Sequence, residues 1–282
     1  MISVGIILHE INTIANTLRK GRLIPYLGPA TLEMEGPARV PSTDEDLVLR
    51  LEIGQPVPAR IRRNLTAVAQ YIENFRHRKV LRSRMLDIFN TPTPPTSLHH
   101  FLARLNDVPL IVDTWYDDAL LVALGERRDW GQVQGVSRSE HRDHWFTRFD
   151  AEGVPVTTEE TGHRRTLVYK PIGGIRPAGN FLISDSDYVE VLTEIDIQTP
   201  IPVEVQEIRT SRGFLFLGCR FATQLERTYA RQIMKRSAGP YWTVFDGTPT
   251  RNEARFLAEQ QIQPLRLSLS DFVAQIAELI TT

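Results

Sequence analysis

One cysteine, Cys219, stands in a chain of 282 residues, so no disulfide closes within the chain and a cysteine-based zinc cluster is excluded. Net charge is also lacking: 33 Lys and Arg against 34 Asp and Glu leave −1, which gives no general attraction to nucleic acid or to an anionic membrane surface. No apolar run reaches the roughly 18 to 20 residues that a membrane-spanning helix needs. The opening Met-Ile-Ser-Val-Gly-Ile-Ile-Leu has no basic residue before it and meets His9 and Glu10 at once, a poor secretory signal. A cytoplasmic location is the resulting expectation. The rest of the composition, 41% hydrophobic and 24% charged, is that of an ordinary globular chain long enough to bury a large core.

What is present is an alternation of apolar strands and amphipathic helices. Residues 11–22 put Ile11, Ile14, Ala15 and Leu18 on one helical face and stop at Gly21, a fitting helix end. A strand follows at 23–27 and ends in a turn at Gly28. The stretch 33–58 is rich in Pro, Gly and acids and reads as loop and cover, with only 44–51 able to make a helical turn or two. Residues 60–89 repeat Ile61, Leu65, Val68, Ala69, Ile72, Val80, Leu81, Met85 and Ile88 at helical steps, predicting two helices joined near 76–79. Their arginines, at 60–63 and 76–84, read as solvated faces. Thr91-Pro-Thr-Pro-Pro95 breaks the pattern, and Thr96 or Ser97 caps a helix through 105,.

Further strands are predicted at 108–112, 165–170, 181–184, 213–217, 242–245 and 265–267, and further helices at 119–124, 187–194, 224–236, 251–260 and 270–280. Asp117 or Asp118 accepts the first N–H groups of the helix at 119,. An irregular link is expected at 195–202, and 129–164, alternating polar with apolar, reads as short strands.

This order predicts an α/β fold: one doubly wound, mostly parallel sheet with helices on both faces, in a single domain over 1–282 with a helical insertion at about 33–95 and a short-strand insertion at about 129–164,. Turns at Gly28, at 113–118, at Gly173 and at Gly218 each follow a predicted parallel strand, so they gather on one edge and predict a ligand crevice there. At the Gly28 turn, backbone N–H groups are expected to face a phosphate. His141 and His144 have a spacing that brings two imidazoles together, but no third ligand is evident and a surface role is expected,.

Several blocks, in the same order, resemble the SIR2-like (sirtuin-related) domains of bacteria. Leu23-Ile-Pro-Tyr-Leu-Gly-Pro-Ala30 resembles that family's strand followed by Gly-Ala-Gly, and Thr96-Ser-Leu-His-His-Phe-Leu-Ala-Arg-Leu105 its Pro-Thr-x-x-His-x-x-Leu-Ala-x-Leu helix. Ile111-Val-Asp-Thr-Trp-Tyr-Asp-Asp118 resembles Ile-x-Thr-Thr-Asn-Tyr-Asp, Leu167-Val-Tyr-Lys-Pro-Ile-Gly-Gly174 resembles Tyr-Lys-Leu-His-Gly-Ser, and Phe214-Leu-Phe-Leu-Gly-Cys219 resembles Leu-Phe-Leu-Gly-Tyr-Ser. The resemblance runs over about residues 10–278. It implies a Rossmann-like fold that binds NAD or ADP-ribose at the crevice, with Gly28, Pro29, Ala30, Thr114, Trp115, Tyr116, Asp117, Gly173, Gly218 and Cys219 as ligand-binding positions. A protein partner encoded nearby and an oligomer are also in keeping with it.

The departures fall on the chemistry. The family's basic His and its ribose-holding Asn correspond to Ile172 and Trp115, and an isoleucine neither accepts nor donates a proton. Pro29 has no N–H to offer an oxygen, and Ala30 carries a Cβ where the family has its second Gly,. Asp113, Asp118, Lys170, His99 and His100 are the candidate replacements for the base, and Asp113 is the one assigned. The four cysteines of the deacetylases' zinc module are absent. The leading expectation is therefore a nucleotide-binding or protein-binding module without NAD hydrolysis. The alternatives are an NAD hydrolase with a rewired site using Asp113, and an interaction protein whose crevice is filled by Trp115, Tyr116 and Pro29.

Overall fold

The computed structural model describes residues 4–54, 56–137, 144–157, 164–194 and 201–281. Its strands are β1 (Leu23–Leu27), β2 (Leu110–Asp113), β3 (Trp130–Gly135), β4 (Phe146–Asp150), β5 (Thr166–Lys170), β6 (Gly173–Gly174), β7 (Asn180–Phe181), β8 (Gly213–Leu217), β9 (Tyr241–Val244) and β10 (Ile262–Leu265). Among the described residues eight of them form one sheet in the order β10-β9-β8-β1-β2-β5-β3-β4. All neighbours run parallel except β3 with β4. β6 and β7 make a separate antiparallel pair.

The helices are α1 (Val4–Arg19), α2 (Asp44–Leu51), α3 (Leu65–Arg76), α4 (Arg78–Phe89), α5 (Ser97–Ala103), α6 (Ala119–Ala123), α7 (Asp185–Glu194), α8 (Val203–Arg209), α9 (Gln224–Met234), α10 (Arg251–Glu259) and α11 (Leu269–Thr281). The α/β, Rossmann-like expectation is met. No helix among the described residues is long and apolar enough to cross a membrane.

Alternate residues of the central strands enter two separate cores, because side chains of a strand point to opposite faces. Ile24, Tyr26, Phe214 and Phe216 pack with α2, α3, α4, α7, α8, α9 and α10 on one face. Leu23, Leu27, Leu215 and Leu217 pack with α1, α5, α6 and α11 on the other. That double burial is why β1 and β8 read as unbroken apolar runs. An aromatic chain crosses the first face: Tyr26 meets Phe216 with ring centroids 4.9 Å apart, Phe216 meets Phe221 at 5.2 Å, and Phe221 meets Phe256 at 5.0 Å.

Several local expectations shift. Trp130–Gly135, expected within an insertion of short strands, is a buried member of the main sheet beside β5. Its alternating glutamines misled because Gln132 and Gln134 bond each other at 2.8 Å and Gln134 also bonds the Arg176 carbonyl, so both are buried. The last strand lies at Ile262–Leu265 rather than 265–267, and Pro264 within it is tolerated because β10 is an edge strand,. No element is expected over 203–209, where α8 begins after Pro202. Residues 141–143 and most of the link 195–202 lie outside the described residues.

Phe214 is fully buried, its ring 6.1 Å from Phe216 in a stacked arrangement. Phe214→Ala is expected to cost about 3–5 kcal/mol of folding stability, read as a shift of the urea midpoint.

Candidate functional site

In a parallel sheet the chain leaves every strand at the same edge, and a crevice opens where successive connections run to opposite sides. Here the break lies beside β1, with β2 on one flank and β8 on the other. A cavity of about 100 Å³ sits at that edge. Gly28 and Pro29 after β1, Thr114, Trp115 and Tyr116 after β2, Ile172 after β5, and Cys219 and Phe221 after β8 supply its sheet side. Its cover comes from helices: Asp44 of α2, Thr66 of α3, Tyr188 of α7, Glu226 and Tyr229 of α9. No lysine, arginine or histidine among the described residues lines it.

The turn after β1 does not face outward with free donors, which corrects the expectation of a phosphate cradle. The Gly28 N–H donates to the Leu217 carbonyl at 2.9 Å, the Ala30 N–H to the Gly218 carbonyl at 3.3 Å, and the Thr31 N–H to the Gly28 carbonyl at 3.3 Å. Pro29 has none to give. The two turns instead close on each other. A Cβ on Gly28 would collide with the Gly218 carbonyl, and Gly218, at φ +69°, would bring one to 2.7 Å from the Thr31 nitrogen. Glycine is needed at both positions for backbone contact with backbone.

Behind the cavity wall lies a group of buried charges. Lys170 is 0% exposed, and its Nζ lies 2.5 Å from Asp113 Oδ2 and 3.0 Å from the Asp117 carbonyl. Asp113 Oδ1 accepts the Trp115 N–H at 3.2 Å, and Asp117 Oδ1 accepts the Ala119 N–H at 2.8 Å. Burial first, then the charge of Asp113, push the Asp117 carboxyl above the ordinary carboxylate range. Asp118 pairs with Arg176 at 2.7 Å.

The structure thus divides the expected site residues into groups. Gly28, Pro29, Thr114, Trp115, Tyr116, Ile172 and Cys219 line one cavity. Ala30 and Gly218 lie on a second one, of about 330 Å³, to which Cys219 also contributes. Gly173 pairs with Phe181 in the small antiparallel pair. Asp113, Asp117, Asp118, Lys170 and His99 are buried outside the cavity lining. His99 completes the capping box of α5, accepting the Thr96 N–H on Nδ1 at 3.1 Å, and burial pushes its imidazole down to about 4. His100 is exposed. The Cys219 thiol, pushed up by burial, lies 3.6 Å from the Tyr26 carbonyl. The Trp115 indole N–H is occupied by the Pro41 carbonyl at 2.6 Å.

Sequence reasoning did not find Asp44, Tyr188, Glu226 and Tyr229. Asp44 is half-buried in the first turn of α2, just after the N-cap Thr43, and its carboxyl has no hydrogen bond or ion pair among the described residues. Burial, followed by Glu226 and Glu45, raises its carboxyl to about 7. Glu226 is held by the capping box of α9, its Oε2 accepting from the Thr223 N–H at 2.7 Å and hydroxyl at 2.9 Å.

Residues 109–265 match the family model described as SIR2-like domain. The chain belongs to the SIR2-like domain family. No curated protein matches it. The matched part of this SIR2-like domain holds β2, β5 and β8 with their turns, while β1, Gly28, Pro29 and the covering helices α2 to α4 precede it.

Lys170→Met would leave Asp113 buried without its cation, an expected loss of about 3–5 kcal/mol. Adding Asp113→Asn is expected to restore most of that, which paired urea titrations check. Asp44 carries a pH signature. Its folded value lies above the ordinary 3.8, so its contribution to stability is present below 3.8 and is lost as pH rises through about 7,. Asp44→Asn is expected to raise the melting temperature by about 2 °C at alkaline pH, a gain that fades on acidification.

Proposed function

We propose that this SIR2-like domain is a binding module that takes a small ligand into the cavity at the sheet's carboxyl edge and does not hydrolyse NAD. The observation that carries the reading is the side chain at the position corresponding to the family's base: Ile172, in the cavity wall, with no imidazole among the described lining residues to take over. Water attack at a ribose carbon needs a group that accepts a proton within hydrogen-bond reach. The assigned replacement, Asp113, is neutralised by Lys170 and caps the Trp115 N–H, so it is not free to do so.

The residues do not fit NAD itself. A pyrophosphate calls for free backbone N–H groups or cations, whereas the donors of the β1 turn are engaged with β8 and with the turn itself. The charged groups lining the cavity are the carboxyl-bearing Asp44 and Glu226, which repel phosphate,. The volume of about 100 Å³ also falls short of the roughly 300–1,000 Å³ usual for sites that bury a drug-sized ligand. Ligand recognition in this reading rests on aromatic and hydroxyl contacts rather than on phosphate.

The test is a proton NMR time course of NAD with the purified protein. The expected spectrum contains no free-nicotinamide signals and no protein-dependent broadening of NAD. Nicotinamide released in proportion to protein would overturn the non-hydrolytic reading.

A further inference from the structure

An open groove of about 330 Å³ runs along the seam between α9 and α10. Gln224, Arg227, Thr228 and Arg231 line it from α9, at steps of three and four residues that put them on one helical face,. Arg255, Phe256 and Glu259 line it from α10. None of these residues lines the carboxyl-edge cavity or the cavity beside Gly218, so the groove is separate from the proposed ligand site.

Its charges do not balance. Every carboxylate of the two helices is already engaged: Glu226 accepts the Thr223 N–H at 2.7 Å, Glu253 accepts the Thr250 N–H at 2.6 Å and pairs with Arg220 at 3.2 Å, and Glu259 pairs with Arg255 at 2.7 Å. Arg227 and Arg231 are left without an ion pair among the described residues. Both are nonetheless held in place. Arg227 is half-buried, and its Nη1 donates to the Phe221 and Ala222 carbonyls at 2.7 Å each, which leaves Nε and Nη2 for another acceptor. The Arg231 guanidinium lies across the seam, 6.0 Å from the Phe256 ring centroid, a cation–π contact that directs it without engaging an N–H. Guanidinium groups positioned in advance lose little freedom when an anion arrives. In the first turns of the two helices, the side-chain amides of Gln224 and Asn252 also face the groove with no hydrogen bond among the described residues.

Two positioned cations with no carboxylate call for an anionic partner. Arg227 and Arg231 are one helical turn apart, about 6 Å along the axis, and side chains on one face of an extended chain repeat every 6–7 Å or roughly so. Side-chain amides, which donate and accept, complement a peptide main chain. A nucleic acid strand also carries repeated charge, but it stacks its bases on aromatic rings. Phe256, the one aromatic residue lining the groove among the described residues, is only 2% exposed. We infer that this groove docks an extended acidic segment of a partner protein, with carboxylates at alternate positions meeting Arg227 and Arg231 and with Gln224 and Asn252 bonding its main chain.

Calorimetric titration of the full chain with the acetylated and amidated peptide Glu-Ser-Glu-Ser-Glu, and with its neutral counterpart Gln-Ser-Gln-Ser-Gln, tests this. The acidic peptide is expected to bind about tenfold or more tightly than the neutral one. Arg231→Gln removes an exposed side chain with no hydrogen bond to lose, and is expected to cut that preference about fivefold. Combining it with Arg227→Gln is expected to abolish the preference. Arg60→Gln with Arg63→Gln removes the same charge from exposed positions outside the groove and is expected to leave the preference unchanged. Circular dichroism checks that each variant is folded. Equal affinity for the two peptides, no binding of the acidic one, a preference that survives the groove variants, or an equal loss in the Arg60 and Arg63 variant would each overturn the inference. Oligothymidylate binding the groove more tightly than the acidic peptide would overturn it in favour of a nucleic acid.

Discussion

The ligand edge depends on one buried ion pair. Lys170 ends β5 with no exposure to water, and Asp113 ends β2 directly beside it. Neither charge is tolerable there without the other, because an unpaired ion in a dry interior is far costlier than a paired one. The pair therefore fixes the distance between two adjacent parallel strands at the point where their turns begin. Its second bonds then spread the order: Asp113 holds the Trp115 N–H and Lys170 holds the Asp117 carbonyl. Thr114, Trp115 and Tyr116 reach the cavity wall from a turn made rigid in this way.

On the other flank the constraint is steric. Gly28 and Gly218 let the turns after β1 and β8 touch backbone to backbone, and the N–H groups that such a turn commonly offers to phosphate are used within the fold,. Cys219 lines two cavities at that seam, one walled by aromatic rings and carboxyl groups, the other reached by Ala30 and Gly218. The first of these cavities thus has no lysine, arginine or histidine among its described lining residues, and the donors of the β1 turn are used within the fold. Topology says where a ligand lies; side-chain charge says which ligand.

Much of this was legible in the chain. β1 and β8 are visible because strands buried on both faces must be apolar throughout, and the turn residues after them are visible because parallel strands share one exit edge,. Gly28 and the 113–118 turn that carries Trp115 follow from that logic, whereas Ile172 and Cys219 follow from the family resemblance. β3 was misplaced because its glutamines satisfy each other inside the protein, which hydropathy alone does not reveal. Asp44, Tyr188, Glu226 and Tyr229 were missed for a different reason. They belong to helices, and which helical face meets the sheet edge is decided by packing between elements far apart in sequence, not by any local spacing. A half-buried aspartate in a first helical turn looks like every other such aspartate.

The division between what was read and what was missed follows the division of labour in the molecule. Sheet-borne positions set the geometry of the edge, and their residue types are dictated by burial and by turn conformation. Helix-borne positions set its electrostatics, since Asp44 and Glu226 both come from helices that cap the cavity. Substitutions on the covering helices can therefore change the charge that lines the cavity without disturbing a strand. In a fold whose strands are buried on both faces, that is the cheaper place to alter charge, because replacing a half-buried carboxyl such as that of Asp44 leaves no void in the core, whereas truncating a core strand residue costs about 2–5 kcal/mol,.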